Sequence, residues 1–139
     1  IAPPTGCLTR LSFAKAPAVC GIGFHEVAPR KSDYALASAA AQINFAAGSG
    51  VTSIHVGVGS VGDFPERLDV DQLCGTSLDD AAIADAIHAA MQMVETVEDL
   101  HATAAYRKRV ATELAIRALR DARDEISKDL INERCDLDG

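Results

Sequence analysis

The chain has 139 residues, enough for one domain with a real core, and its 48% apolar and 24% charged content is that of a globular protein. A net charge of −7 argues against nucleic acid or an anionic membrane surface as partner, since like charges repel. No apolar run approaches the roughly 20 residues needed to span a bilayer. With four Phe, two Tyr and no Trp, the core has to be built from Ala, Val, Ile and Leu.

Residues 1–20, "IAPPTGCLTRLSFAKAPAVC", are rich in Pro and Ala and show no sustained period. They read as a linker or entering arm, cut from a longer polypeptide, and their prolines interrupt any signal-peptide core. Cys7, Cys20, Cys74 and Cys135 form no CxxC pair, so the close-set ligands of a zinc or iron–sulfur site are missing. Reduced, scattered thiols suit a cytoplasmic protein.

Three strands are predicted next. "GIGFHEVAPR" (21–30) is short, with Phe24 and Val27 as apolar anchors and a stop at Pro29. "YALASAAAQINFA" is ambiguous, because alanine is the best helix former. However, Ala35, Ala37, Ala39, Ala41, Ile43 and Phe45 take every second position opposite Tyr34, Ser38, Gln42 and Asn44, which predicts a strand over Ala35–Phe45. "AAGSG" supplies a turn, and "VTSIHVGVG" alternates again, so the pair reads as an antiparallel hairpin.

The second half is predicted helical. "GTSLDDAAIADAIHAAMQMV" opens with a capping-box-like Ser77 and Asp80, and Ile83, Ile87 and Met91 follow at four-residue spacing. The last helix is the most regular: Tyr106, Val110, Leu114, Ala118, Ala122 and Ile126 form a stripe, with Arg107, Lys108, Arg117, Arg120, Asp121, Asp124 and Glu125 largely off it. Residues 129–139 read as a frayed tail, leaving 21–128 as the domain. The whole is α+β, with a three-stranded antiparallel sheet packed on a small helical bundle.

Candidate chemistry is sparse. His25, His55, His88 and His101 stand in no HxH or HExxH pattern and read as solvated or structurally bonded imidazoles. "GVGSVGDFP" is glycine-rich and follows a strand, but it has no P-loop Lys, and Asp63 would repel phosphate; a tight exit turn is favoured over a phosphate cradle. "HATAAYRKRV" carries three consecutive cations, read as a solvated face with Tyr106 in the core, or else as a subunit contact. "RKSDYALASAA" places two cations, a hydroxyl, a carboxylate and an aromatic ring just ahead of a small-residue strand.

Together, "GFHEVAPRKSDYALASAAAQINF", "GVGSVGDFPERL", "LCGTSLDDAAIADAI" and "DLHATAAYRKRVATELAIRAL" resemble the C-terminal domain of the FAD-binding medium subunit of molybdenum hydroxylases, the carbon monoxide dehydrogenase and xanthine dehydrogenase family. The resemblance covers about residues 20–125 in the family's order, and the last segment is its most specific part. The stretch from Gly6 to Gly23 is longer than the family's usual connection into the first strand, so no function is carried onto it. The resemblance implies a flavoprotein partnered by iron–sulfur and molybdopterin subunits, in which electrons pass from molybdenum through the clusters to FAD and on to an acceptor. The FAD phosphates and adenine would be held mainly by preceding domains outside this chain, leaving it inactive on its own. Matched position by position, Asp33 and Tyr34 fall nearest the flavin, with Arg30 and Lys31 close behind; the alternative is an exposed basic turn with Tyr34 in the core. A second reading is a non-catalytic docking domain, built on the basic turn Arg107–Arg109 and the stripe of the last helix. Neither the hydroxylated substrate nor the final acceptor is written in these residues.

Overall fold

The computed structural model describes residues 6–7, 9–13, 15, 19–46 and 48–137, the last nine of these as backbone only. Half of the sequence-predicted arm, 1–20, therefore lies outside the described residues. Four strands form one antiparallel meander in the order β1 (Val19–Val27), β2 (Ala37–Ala46), β3 (Gly50–Gly59) and β4 (Glu66–Leu68). A 3-10 turn, Asp71–Leu73, leads to helix α1 (Asp80–Gln92), and α2 (Ala104–Leu137) closes the chain. The α+β class and the antiparallel sheet agree with the sequence reading. The sheet gains a short fourth strand, and the backbone of α2 stays helical to Leu137, where a frayed tail was expected.

The alternation in β2 decides its conformation against alanine's helical preference. Ala37, Ala39, Ala41 and Ile43 are at most 3% exposed, and the facing positions of β3, Ile54, Val56 and Val58, are equally buried. Pairings such as Ala41 with Val56 and Ile43 with Ile54 put them side by side on the inner face. Each large aliphatic so buried contributes about 1.5–3 kcal/mol, which outweighs a local propensity of less than about 1 kcal/mol per residue. The β2–β3 turn uses Gly48 and Gly50 at φ 82° and 74°, the left-handed region that glycine enters without a Cβ clash.

β1 departs from expectation. Phe24, predicted as an anchor, is 60% exposed on the outer face, and the inward positions are Gly21 and Gly23. α2 lies so close over them that a Cβ on Gly21 would fall 2.7 Å from the carbonyl carbon of Ala122, and one on Gly23 2.7 Å from that of Ala118. The carbonyl oxygens of the same two residues stand closer still. Side chains of α2 close the free edge of β1: the Ile22 amide donates to Glu125 Oε2 at 2.5 Å, and His25 Nε2 meets Asp121 Oδ2 at 2.7 Å. An edge strand whose amide is taken by a carboxylate is a poor template for further pairing.

α1 starts on Asp79, whose carboxylate accepts from the amides of Ala81 and Ala82, so the cap is Asp79 and the expected Ser77–Asp80 box is not formed. Ile83, Ile87 and Met91 are buried as their spacing predicted. On α2 the buried stripe is Ala111, Leu114, Ala115, Ala118, Leu119, Ala122 and Ile126, while Tyr106 and Val110 are only half-buried.

Of the three cations at the start of α2, Arg109 is exposed, Lys108 is half-buried and Arg107 is internal. Arg107 is 5% exposed: its Nη1 donates to the carbonyls of Leu36 and Ser60, both at 2.7 Å, and its Nη2 lies 2.7 Å from Asp99 Oδ2. One guanidinium thus ties the entry to β2, the exit from β3 and the segment ahead of α2. Ser60 itself sits at φ 60°, a strained position for a residue with a side chain, and the bond to its carbonyl helps hold it there. Lys108 donates to the carbonyl of Val94 at 3.1 Å, past the C-terminus of α1, and Arg109 lies 5.8 Å from the ring centre of Tyr106.

Two outcomes are expected. Gly23→Ala forces a methyl into the backbone of α2, and overpacking of this kind costs about 1–3 kcal/mol or more, read as a lower midpoint in urea unfolding. Arg107→Met removes two charge-assisted bonds to carbonyls and should lower stability by about 3 kcal/mol in the same assay.

Candidate functional site

The loop between β1 and β2 carries all four sequence-predicted cofactor residues. Arg30, Lys31, Asp33 and Tyr34 are all exposed, and Tyr34 is 94% so. The ring is outside the core, which removes the reading that tucked it inside. The loop is nonetheless specified by hydrogen bonds: Asp33 N donates to the carbonyl of Arg30 at 3.2 Å, Tyr34 N to Asp33 Oδ1 at 2.9 Å, and Leu36 N to the carbonyl of Val27 at 2.7 Å. Ser32 takes φ 67° at its tip, a tight reversal that costs a residue with a side chain of order 1 kcal/mol.

Behind Tyr34 lies a concavity of about 240 Å³ lined by Pro29, Asp33, Tyr34, Leu36, Asp99, His101 and Arg107 among others. A second hollow, about 440 Å³, adjoins it across Leu36, Asp99 and His101 and extends along Leu100, Thr103 and Tyr106. The wall made by 99–103 comes from a compact turn. Asp99 Oδ1 accepts from the amides of His101 (2.8 Å) and Ala102 (3.0 Å), Asp99 N donates to the carbonyl of Ala102 at 3.1 Å, and Oδ2 pairs with Arg107. These bonds to its charged form, with Arg107 beside it, bring the Asp99 pKa down to about 2.

The sequence reading found the 30–34 wall and missed the 99–107 wall. Its signal was present: Arg107, Ala111, Ala115, Ala118 and Ala122 keep helical spacing, so the arginine continues the buried stripe. The other histidines stand apart from this site. His25 pairs with Asp121, His88 Nδ1 bonds the carbonyl of Ala84 at 2.7 Å, and His55 is exposed on the outer sheet face. The glycine-rich stretch after β3 is an exit turn: it runs through Ser60, whose carbonyl Arg107 holds, and Val61, whose carbonyl accepts from Val97 N at 2.8 Å. Among the described residues, no three of His, Cys, Asp or Glu converge to hold a metal ion, and no helix is long and apolar enough to cross a membrane.

Comparison with known proteins fits this architecture. Among solved structures, carbon monoxide dehydrogenase from Hydrogenophaga pseudoflava, in a form lacking the Mo-pyranopterin moiety of the molybdenum cofactor, superposes with a TM-score of 0.69 at 24% identity, over 78% of this chain and 38% of that one. Reconstituted CO dehydrogenase from Oligotropha carboxidovorans gives 0.69 at 25%, over 78% and 38%. Quinoline 2-oxidoreductase from Pseudomonas putida 86 gives 0.67 at 26%, over 79% and 39%. The chain thus spans well under half the length of the solved chains it matches. No curated protein sequence matches it. Residues 23–122 match the family described as the CO dehydrogenase flavoprotein C-terminal domain. Because that match takes in β1 to β4, α1 and most of α2, this chain belongs to the CO dehydrogenase flavoprotein C-terminal domain family.

Proposed function

We propose that this domain covers the FAD of a molybdenum hydroxylase flavoprotein subunit, a cytoplasmic component in which electrons from iron–sulfur clusters reach the flavin before passing to an acceptor. The single observation that carries the reading is Tyr34, 94% exposed on a hydrogen-bonded loop beside a carboxylate and two cations. A flat, exposed aromatic face suits stacking on a flat ring system, so the residues present fit a flavin. When bound, the flavin supplies the electron-accepting chemistry.

The chain's own residues would shape the setting. Tyr34 covers a ring face and keeps water from it. Asp33, one oxygen engaged with the Tyr34 amide, places negative charge nearby and disfavours added electron density; Arg30 and Lys31 act in the opposite direction. The FAD phosphates and adenine fall to preceding domains of the same subunit, and the molybdopterin and iron–sulfur subunits complete the assembly.

The docking-domain alternative keeps the exposed Arg109 and the half-buried Lys108 but not Arg107, which is internal, nor the α2 stripe, which is largely buried. In the intact FAD-loaded subunit, Tyr34→Ala should change the flavin absorbance envelope. Asp33→Asn should make the flavin easier to reduce; a charge interaction of about 1 kcal/mol corresponds to roughly a fivefold change in reoxidation rate, measured by stopped flow. A flavin unaltered in spectrum and kinetics by both substitutions would end this reading.

A further inference from the structure

The turn 99–102 has a feature that folding of this domain does not explain. Asp99 fixes the turn through the amides of His101 and Ala102 and is itself held by the buried guanidinium of Arg107. What the turn displays is Leu100, 102% exposed, with His101 exposed beside it. A loop built only to join α1 to α2 has no use for a leucine held wholly in water by so many bonds. Tyr34, 94% exposed, lines the hollow that adjoins that of Leu100 across Leu36, Asp99 and His101. Both walls are tied to Arg107: the Tyr34 wall through the carbonyl of Leu36, the Leu100 wall through Asp99. Their relative position is therefore set before anything binds.

Resting on the flavin-covering reading above, we infer that the turn 99–102 is the second half of that contact, with Leu100 docking on an apolar surface of the flavin-carrying part of the same subunit and His101 hydrogen-bonding at its rim. Two observations point to this occupant. The hollow under Leu100 shares Leu36, Asp99 and His101 with the one behind Tyr34, and this chain spans only 38% of the length of the CO dehydrogenase chains it superposes on. Asp99 and Arg107 act as positioning residues, since they bond the turn from within.

The test uses the intact FAD-loaded subunit. Leu100 is fully exposed among the described residues, so Leu100→Asp and Leu100→Gln should leave circular dichroism and the unfolding midpoint unchanged. Burial of a leucine is worth about 1.5–3 kcal/mol, so flavin release on dilution, followed by the rise in flavin fluorescence, should be about tenfold faster or more for Leu100→Asp and smaller but measurable for Leu100→Gln. His101→Gln keeps one hydrogen bond and should have a lesser effect than His101→Ala. Flavin release at the parent rate in both Leu100 variants overturns the inference. If Tyr34→Ala still changes the flavin spectrum in that case, the covering function stands and only the second wall is wrong. Silence of Tyr34→Ala and Asp33→Asn together would remove the covering function itself. Loss of fold in Leu100→Gln would show the leucine to be a packing residue, and would equally overturn the inference.

Discussion

The rest of the structure depends on the contact between the two inward glycines of β1 and the backbone of α2. With no Cβ at Gly21 or Gly23, the helix settles directly on the strand at Ala122 and Ala118. The pairing is in step: two residues along β1 correspond to about one turn along α2 in the opposite sense, which lies within the reach of a 3.3 Å strand rise and a 1.5 Å helix rise. Fixing that register fixes where the N-terminus of the helix ends up. It comes to rest over the entry to β2, where Arg107 reaches the carbonyl of Leu36.

Small residues recur wherever the sheet and α2 meet. Ala37, Ala39 and Ala41 on β2 and Ala111, Ala115, Ala118 and Ala122 on α2 are all buried. Bulkier side chains complete the same core: Ile43 and Ile54 of the sheet, Leu114 and Leu119 of α2, and Ile83, Ile87 and Met91 of α1 with Leu68, Val70 and Leu73. A closely seated helix leaves little room for error, because interiors are packed at crystal-like density and transmit displacement. Through this seating, a substitution on β1 can be felt at the loops that bear Tyr34 and Leu100.

Arg107 converts that placement into a site. Burying a guanidinium is unfavourable unless its donors are used, and here Nη1 and Nη2 are spent on two carbonyls and one carboxylate from three separate segments, while Nε is buried without a partner. The result is a pre-arranged hollow at one end of the domain, with apolar and aromatic groups raised on ordered loops at its rim. Such an arrangement suits the covering role proposed above, since ordering would be complete before a partner arrives. The Asp99 carboxylate, ionised down to a pKa of about 2 against an ordinary 3.8, keeps the clamp closed at all ordinary pH. Because the folded value is the lower one, the clamp's contribution is whole above the unfolded pKa and fades only as pH falls from about 4 toward 2.

By itself the sequence determined what depends on period and on neighbours in the chain: the inner face of β2 and β3, the glycine turn between them, the apolar ladder of α1 and the polar corner Arg30–Tyr34 ahead of β2. Its resemblance to a flavoprotein domain was carried by whole segments in order, which is why the family was legible although few residues of the site were. Tertiary structure decided what depends on contacts distant in sequence. That Gly21 and Gly23, and not Phe24, are the inward positions of β1 follows only once α2 lies on that face. That Arg107 is a buried clamp and not a surface cation follows from acceptors 71 and 47 residues away, which no local period encodes. Hydrophobic alternation records which way a residue faces within its own element; which element meets that face, and what polar group must then be satisfied there, is fixed only when the whole chain has closed around it.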